Sequence, residues 1–139
     1  MPISINRKLW YDGPNYTADS VIINTIAQKI LLIKRSSGEW ALPGGFINSE
    51  EDSFTAAIRE TKEETGTIIS DDPILIYKGL VNDPRNSQTS WIETSAYLFI
   101  VNELSEVSGR DDAIDAAWLP LNNLPKLYAS HDEIVIRAI

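Results

Sequence analysis

The stretch Gly45 to Thr67, GFINSEEDSFTAAIRETKEETGT, constrains this chain more than any other, because four acids, one arginine and two glycines recur in it at chemically meaningful spacing. Glu60, Glu63 and Glu64 stand at i, i+3 and i+4, so three carboxylates come within reach of each other. Each such like-charge pair costs a few tenths of a kcal/mol even on an exposed helix. A hard divalent cation held by oxygen ligands is the natural partner, with Mg²⁺ first and Mn²⁺ as the alternative. Phe54, Ala57, Ile58 and Thr61 recur at helical spacing and form the stripe expected to dock the helix on a sheet. Glu60 and Glu64 flank that stripe, so the metal belongs at the seam of helix and sheet, with Glu64 at a partly solvent-facing position. Gly44 and Gly45 let the backbone approach closely, which makes the Gly44 carbonyl a further candidate ligand. The competing reading is a solvated acidic helix face.

Spacing decides between the two. Gly45, five residues, Glu51, seven residues, Arg59-Glu60, two residues, Glu63-Glu64, one residue and Gly66 fix seven positions. A chance match in a chain of this length is on the order of one in a million. The pattern resembles the Nudix box. Two positions depart from it, since the family places aliphatic residues where this chain has Thr61 and Thr67. Thr61 lies mid-stripe, where its hydroxyl can bond back to a carbonyl one turn earlier, so a small loss of helix stability and intact chemistry are expected.

Composition bounds the partners. With 139 residues, 43% of them hydrophobic, residues 1–139 suit one globular domain, with 1–18 as an N-terminal arm. A net charge of −8 argues against a nucleic-acid backbone or an anionic membrane as partner, although a bound metal can still draw in a phosphate. The absence of cysteine removes disulfides and thiolate metal sites and allows a reducing compartment. No segment approaches the roughly eighteen apolar residues of a membrane span, and MPISINRKLW lacks the apolar core of a signal peptide, so a soluble, cytoplasmic protein is expected. Monomer and homodimer both remain open.

Along the chain, Arg7, Lys8, Trp10 and Tyr11 precede the turn signals Asp12-Gly13-Pro14-Asn15, which suggests an arm ending in a tight reversal. Val21–Ile23 and Ile30–Ile33 read as a hairpin of strands buried on both faces. Trp40–Leu42 is a brief strand that Pro43-Gly44-Gly45 ends by bending the backbone. Asn48 or Ser49 is expected to cap the acidic helix, with Ser49 and Asp52 as a capping box, and Gly66 to end it. Ile74–Tyr77 and Trp91–Val101 are strands joined through the turn-rich loop 82–88. Residues 102–111 form a polar connection, Ile114–Leu119 a strand and His131–Ile139 a terminal helix. Trp40, Trp91 and Trp118 read mostly as core, while Glu93 faces either a pocket or water. Alternating strands and helices give an α+β fold, a mixed β-sheet sandwiched between helices.

Further segments extend the resemblance. Gly13-Pro14-Asn15-Tyr16, Gly38-Glu39-Trp40-Ala41-Leu42-Pro43-Gly44-Gly45, Asp83-Pro84-Arg85-Asn86, Trp91-Ile92-Glu93-Thr94, Asp111-Asp112-Ala113 with Trp118, and Leu127-Tyr128-Ala129-Ser130-His131 follow one another as in one Nudix branch. That branch is the mitochondrial-type ADP-ribose pyrophosphatases and the homologous domain of the ADP-ribose-gated melastatin channel. The branch has a long N-terminal extension that this sequence lacks. The resemblance implies hydrolysis of the diphosphate of ADP-ribose to AMP and ribose 5-phosphate. It also implies two or three Mg²⁺ ions on Glu60, Glu63, Glu64 and the Gly44 carbonyl, and a metal-activated water as nucleophile.

Arg59 is expected to pin the glutamates and Glu51 by ion pairing. Asp112 is the first candidate for the base, with Asp111, Glu103 and Glu106 as competitors. Arg85 can grip phosphate, and Asp83 can accept from ribose or adenine or hold Arg85 in place. Tyr128 can stack on adenine or bond the terminal ribose. His131, the only histidine, reads as a cap or core contact. Other nucleotide substrates, such as a nucleoside triphosphate, and a non-catalytic ADP-ribose sensor are the alternatives. The intact Arg59-Glu60 and Glu63-Glu64 favour an enzyme, and nothing in the chain reads as a DNA-binding segment.

Overall fold

The computed structural model describes residues 9–69 and 72–139, so Arg7 and Lys8 of the expected arm lie outside the described residues. Among these, the elements in order are β1 (Gly13–Asn24), β2 (Lys29–Arg35), β3 (Trp40–Ala41), β4 (Gly44–Phe46), α1 (Ser53–Thr65), β5 (Ile74–Leu80), β6 (Ser90–Val101), β7 (Ala113–Pro120) and α2 (His131–Ala138). The strands form one mixed sheet in the order β3-β2-β1-β6-β5, with β4 added to β1 and β7 to β2.

Period-two alternation divides the core between two faces of this sheet. Ile22, Leu31 and Phe99 join Ala56 and Ala57 of α1 on one side. Val21, Ile23, Ile30 and Leu32 join Ile134 and Val135 of α2 on the other. The sheet is therefore sandwiched between helices, and β1 and β2 are buried on both faces, as the apolar runs suggest. Each Val, Leu, Ile or Phe side chain among these, fully buried, contributes about 1.5–3 kcal/mol. No described helix is long and apolar enough to cross a membrane.

The feature that positions the site is a split in the sheet. β1 runs parallel to β6 over its whole length, but its other edge changes partner. Near the hairpin it pairs with β2 at Ile23 and Asn24, whereas Thr17 to Asp19 pair with β4. The two arms of the sheet thus splay apart around Asp19, and the cavity described below opens there.

Several expectations need correction. The expected bend falls at Pro43, but Gly44 and Gly45 lie beyond it within strand β4, because β1 offers a free edge once β2 diverges. Gly13 to Asn15 belong to β1, and the reversal falls just before them, clamped by the Asn15 side chain, which accepts from Tyr11 N–H (3.0 Å) and donates to the Tyr11 carbonyl (2.8 Å). α1 starts only after Asp52, not at Asn48 or Ser49, since the Glu51 side chain turns back to accept from the Asn48 N–H (3.0 Å). The docking stripe is also rotated. Phe54 is exposed, and the buried face is Ala56, Ala57, Thr61, Glu64 and Thr65.

The reason is close approach. Ser20 Oγ donates to the Ala57 carbonyl (3.0 Å), so the helix backbone lies within hydrogen-bond distance of a β1 side chain and only small residues fit between. Thr61 Oγ1 donates to the same carbonyl (2.8 Å), the back-bond expected of a threonine there. Gly66 ends the helix with φ 81° and its N–H on the Lys62 carbonyl. The three tryptophans are half-buried; Trp40 and Trp118 pack against the two core clusters, as expected, whereas Trp91 joins none of them, and two of the indoles keep N–H partners near the surface, Glu93 for Trp91 and the Ser105 carbonyl for Trp118.

Candidate active site

α1 and the split edge of β1 face each other across β4, and the side chains there enclose a cavity of about 690 Å³. Glu60 and Glu64 line it from α1, Asp19 from β1, Gly44 and Gly45 from β4, Asp83 and Arg85 from the loop after β5, Asp111 and Asp112 from the turn before β7, Tyr128 from the segment before α2 and His131 from the first residue of α2. Glu63 does not line it, and its side chain is 43% exposed. Glu103 borders a separate, smaller cavity, and Glu106 lines neither.

Arg59 sits at the centre of the acidic cluster. Its Nε and Nη2 donate to both oxygens of Glu51 (2.7 and 3.0 Å), and Nη1 donates to Glu60 (2.7 Å) and Glu63 (3.1 Å). Nη2 also reaches the Phe46 carbonyl (3.1 Å), which ties β4 to the helix. The hydrogen bond from Arg59 holds the Glu51 carboxyl below its usual range.

Glu64 lies deeper, only 6% exposed rather than partly solvent-facing. It accepts from the Gly44 N–H (2.8 Å), and no cation among the described residues pairs with it. Burial pushes its carboxyl up to about 8, with the Glu60 and Asp19 charges adding to the effect. Burial likewise raises Glu60.

Both glycines of β4 are required by these contacts. A Cβ on Gly44 would stand 2.2 Å from Asp19 Oδ1 and 2.4 Å from the Ala18 carbonyl oxygen, and one on Gly45 would stand 2.6 Å from the Glu60 carboxyl carbon. Gly44→Ala is expected to destabilise the fold by about 3 kcal/mol, since the backbone of β1 cannot yield. Gly45→Ala should cost less, because a side chain can move, and denaturant titration of the two variants would read the difference.

At the opposite wall, Arg85 Nε and Nη2 grip the Asp83 carboxylate (2.9 and 3.0 Å), and the Tyr128 hydroxyl donates to Asp83 (3.1 Å). Burial works against the Asp83 charge, but the Arg85 hydrogen bonds prevail and hold its carboxyl below the ordinary value. The second of the two sequence readings of Asp83, that it holds Arg85 in place, is the contact observed. Tyr128 has the Arg35 guanidinium over one ring face at 3.7 Å and the His131 ring against it edge-on at 5.8 Å. His131 is a core contact whose Nδ1 accepts from the Leu42 N–H (3.0 Å), just ahead of Gly44.

Sequence reasoning missed Asp19 and Arg35. Asp19 is buried, accepts from Thr94 Oγ1 (2.7 Å), stands 4.0 Å from His131 Nε2, and has its carboxyl raised by burial. A lone acid inside the apolar run from Ala18 to Ile23 was the available signal, because a charge there needs a partner or a ligand.

Six carboxylates, on Asp19, Glu60, Glu64, Asp83, Asp111 and Asp112, therefore share the cavity with two guanidiniums, on Arg35 and Arg85. Such a site repels an anion unless cations enter first. Among the described residues no three acid or imidazole groups are already disposed to hold a metal ion. The donor chemistry nevertheless fits a hard divalent cation, with oxygen ligands, no thiolate, and a buried Glu64 carboxylate lacking a counter-charge.

Known proteins resemble this arrangement. A family model described as NUDIX domain matches residues 14–138. An ADP-ribose pyrophosphatase of Methanocaldococcus jannaschii is 38% identical over 131 residues, covering 90% of this chain and 73% of that protein. The mitochondrial ADP-ribose pyrophosphatase of Rattus norvegicus is 28% identical over 164 residues, covering 88% of this chain, which spans only 47% of the rat protein's length. The crystal structure of a MutT/nudix family protein from Enterococcus faecalis superposes with a TM-score of 0.76 at 30% identity, covering 96% of this chain and 63% of that one.

Proposed function

The chain belongs to the NUDIX-domain family, and on that footing we propose that it hydrolyses the diphosphate of ADP-ribose to AMP and ribose 5-phosphate with a divalent cation, Mg²⁺ first and Mn²⁺ as the alternative. One observation carries the reading. The desolvated acids of α1 and the Asp83–Arg85–Tyr128 cluster line a single cavity, so one molecule can offer a diphosphate to the first and the rest of a nucleotide to the second. The names of the rat and Methanocaldococcus jannaschii relatives support ADP-ribose as that molecule.

Glu60, Glu64 and the Gly44 carbonyl are the groups that would hold the cation, with Glu63 at the outer edge. When bound, the metal supplies the charge that neutralises the diphosphate and makes water a nucleophile near neutral pH. The chain's own residues do the rest. Arg59 fixes Glu60 through the Glu51 fork, so the ligand is aimed before substrate arrives. Asp112, or Asp111 beside it, takes the proton of the attacking water as a P–O bond forms and the bridging P–O bond breaks. Arg85 has Nε and Nη2 committed to Asp83, so a phosphate oxygen can draw on Nη1 without displacing that partner. Tyr128 offers its hydroxyl end to a ribose, because Arg35 already covers a ring face.

Chromatography of products from ADP-ribose with Mg²⁺, beside sugar nucleotides, dinucleotides and nucleoside triphosphates, tests the reading. AMP and ribose 5-phosphate should appear fastest from ADP-ribose; faster turnover of another substrate defeats the substrate assignment, and binding without turnover means a sensor. Arg85→Ala is expected to raise the KM for ADP-ribose by about tenfold or more, the loss of one charge-assisted hydrogen bond, with kcat less affected. An unchanged KM would remove the 83–85 loop from the site.

A further inference from the structure

The two acids nominated for proton transfer stand on a segment tied to α1 at several points. Arg110 N–H donates to the Glu64 carbonyl (3.0 Å) and Ser108 N–H to the Thr65 carbonyl (3.3 Å), so this segment satisfies two carbonyls that the end of a helix leaves orphaned. The Thr67 and Ser105 hydroxyls share a hydrogen bond (2.9 Å), and the Trp118 indole holds the Ser105 carbonyl (3.0 Å). Glycines sit at two close approaches, Gly66 (φ 81°) beneath the Arg110 side chain at the end of α1 and Gly109 against the backbone of β7. A Cβ on Gly66 would meet Arg110 Cζ at 2.8 Å, and one on Gly109 would meet the Asp115 nitrogen at 2.4 Å. The Arg110 guanidinium thus lies across the C-terminal end of α1, where the helix dipole favours a cation.

Beyond it the chain turns at once. Ala113 N–H closes on the Arg110 carbonyl (2.9 Å), with Asp111 at φ 55°, so Asp111 and Asp112 form the tip of a tight turn. Both ends of that turn are held, Arg110 on α1 and Ala113 by strand pairing opposite Arg35. Both aspartates line the same cavity as Glu60 and Glu64.

We propose that residues 105–112 are a strap, docked on the C-terminal end of α1, that fixes Asp111 and Asp112 at the cavity beside the acids of that helix, with Gly109 and Arg110 as its positioning residues. What the aspartates then do rests on the hydrolase reading above. Because one backbone bond joins the strap to the carbonyl of Glu64 itself, the acid that would bind the cation and the acid that would take the proton are set relative to each other before any ligand enters. A free loop of the same sequence would have to be ordered in every catalytic cycle.

Two readouts test this on the whole chain. Hydrogen exchange should find the Ser108 and Arg110 amides protected by about 100-fold or more over an unstructured loop, and Gly109→Ala should remove that protection. Exchange at free-loop rates in the parent would overturn the proposal whether or not the protein turns over a nucleotide. In ADP-ribose hydrolysis, Gly109→Ala should lower kcat about 10- to 100-fold with KM within about twofold, as loss of a positioned base implies, and Arg110→Ala, which keeps the backbone bond to Glu64 and removes only the guanidinium at the helix end, about 2- to 5-fold. Arg110 is exposed, so its truncation leaves folding intact even if Gly109→Ala does not.

In an Asp111→Asn, Asp112→Asn background neither change should lower the rate further, the non-additivity of residues acting through one group. Parent-like kcat in both strap variants, or losses that add in that background, would overturn the positioning role. A parent that turns over no nucleotide yet keeps both amides protected instead defeats the hydrolase reading and supports the docked strap.

Discussion

Glu64→Gln is expected to lower turnover by about 10³-fold or more and, at the same time, to make the metal-free protein more stable at pH 8. The first effect follows from deleting the buried charge that would hold the cation, since several kcal/mol of transition-state stabilisation correspond to about three decades of rate. The second follows from proton linkage. Burial raises the folded-state Glu64 carboxyl to about 8 against an ordinary value of 4.5. Between those values the folded state binds a proton that the unfolded chain releases, so stability is present at low pH and lost as pH rises through the window. Asp19 and Glu60 are displaced in the same direction and add to the slope.

A glutamine amide keeps an oxygen to accept the Gly44 N–H and cannot ionise, so the variant escapes the largest part of the loss. At about 1.36 kcal/mol per pKa unit the difference at pH 8 is on the order of 3–5 kcal/mol, or about 10–17 °C in Tm. Thermal melts from pH 5 to 8 without metal check it. Mg²⁺ should raise the parent's midpoint at pH 8 and leave that of Glu64→Gln nearly unmoved. A parent curve that rises with pH, or a variant that still answers to Mg²⁺, would remove Glu64 from the centre of the site.

Arg59→Lys has the second largest expected effect, although it conserves charge. One guanidinium makes the fork to Glu51 and reaches Glu60, Glu63 and the Phe46 carbonyl. An ammonium offers a point charge with no fork and cannot satisfy both ends. Either Glu51 or Glu60 is then left without its partner in a half-buried position. Because the side chains retain some exposure, the stability loss is put at about 1–3 kcal/mol rather than the larger cost of a fully buried pair. The kinetic effect should be greater, about 10²-fold in kcat with KM for the nucleotide nearly unchanged, since Arg85 and Asp83 are remote from Arg59 in the chain and gripped independently. A proportionate rise in KM would mean instead that Arg59 binds substrate directly.

The acidic helix was legible because its chemistry is written in fixed spacing along one element, where i, i+3 and i+4 translate directly into a shared face. The ending at Gly66 and the Thr61 back-bond were legible for the same reason. What escaped depends on distant segments meeting. Phe54 fits a helical stripe as well as Ala57 does, but only the hydrogen bond from Ser20 reveals that the helix lies too close to β1 for a large side chain. Gly44 and Gly45 look like a bend until β2 leaves the edge of β1 and makes room for β4. Asp19 is one acid in an apolar run, and its importance comes from facing Glu64 and His131, which lie 45 and 112 positions further on. Arg35 ends a strand as many arginines do, and only the fold lays it over Tyr128. Local pattern carried the element types and the acid cluster, while the walls of the cavity came from topology.

The most direct test of the central claim, that the acids of α1 and the Asp83–Arg85–Tyr128 cluster serve one molecule, is a crystal structure of Glu64→Gln with ADP-ribose and Mg²⁺. The diphosphate should lie between Glu60 and Arg85, with a ribose at Asp83 and Tyr128 and the Asp111–Asp112 turn beside the phosphorus. ADP-ribose seated away from this cavity, or lying within it with its diphosphate remote from Glu60, would contradict the account.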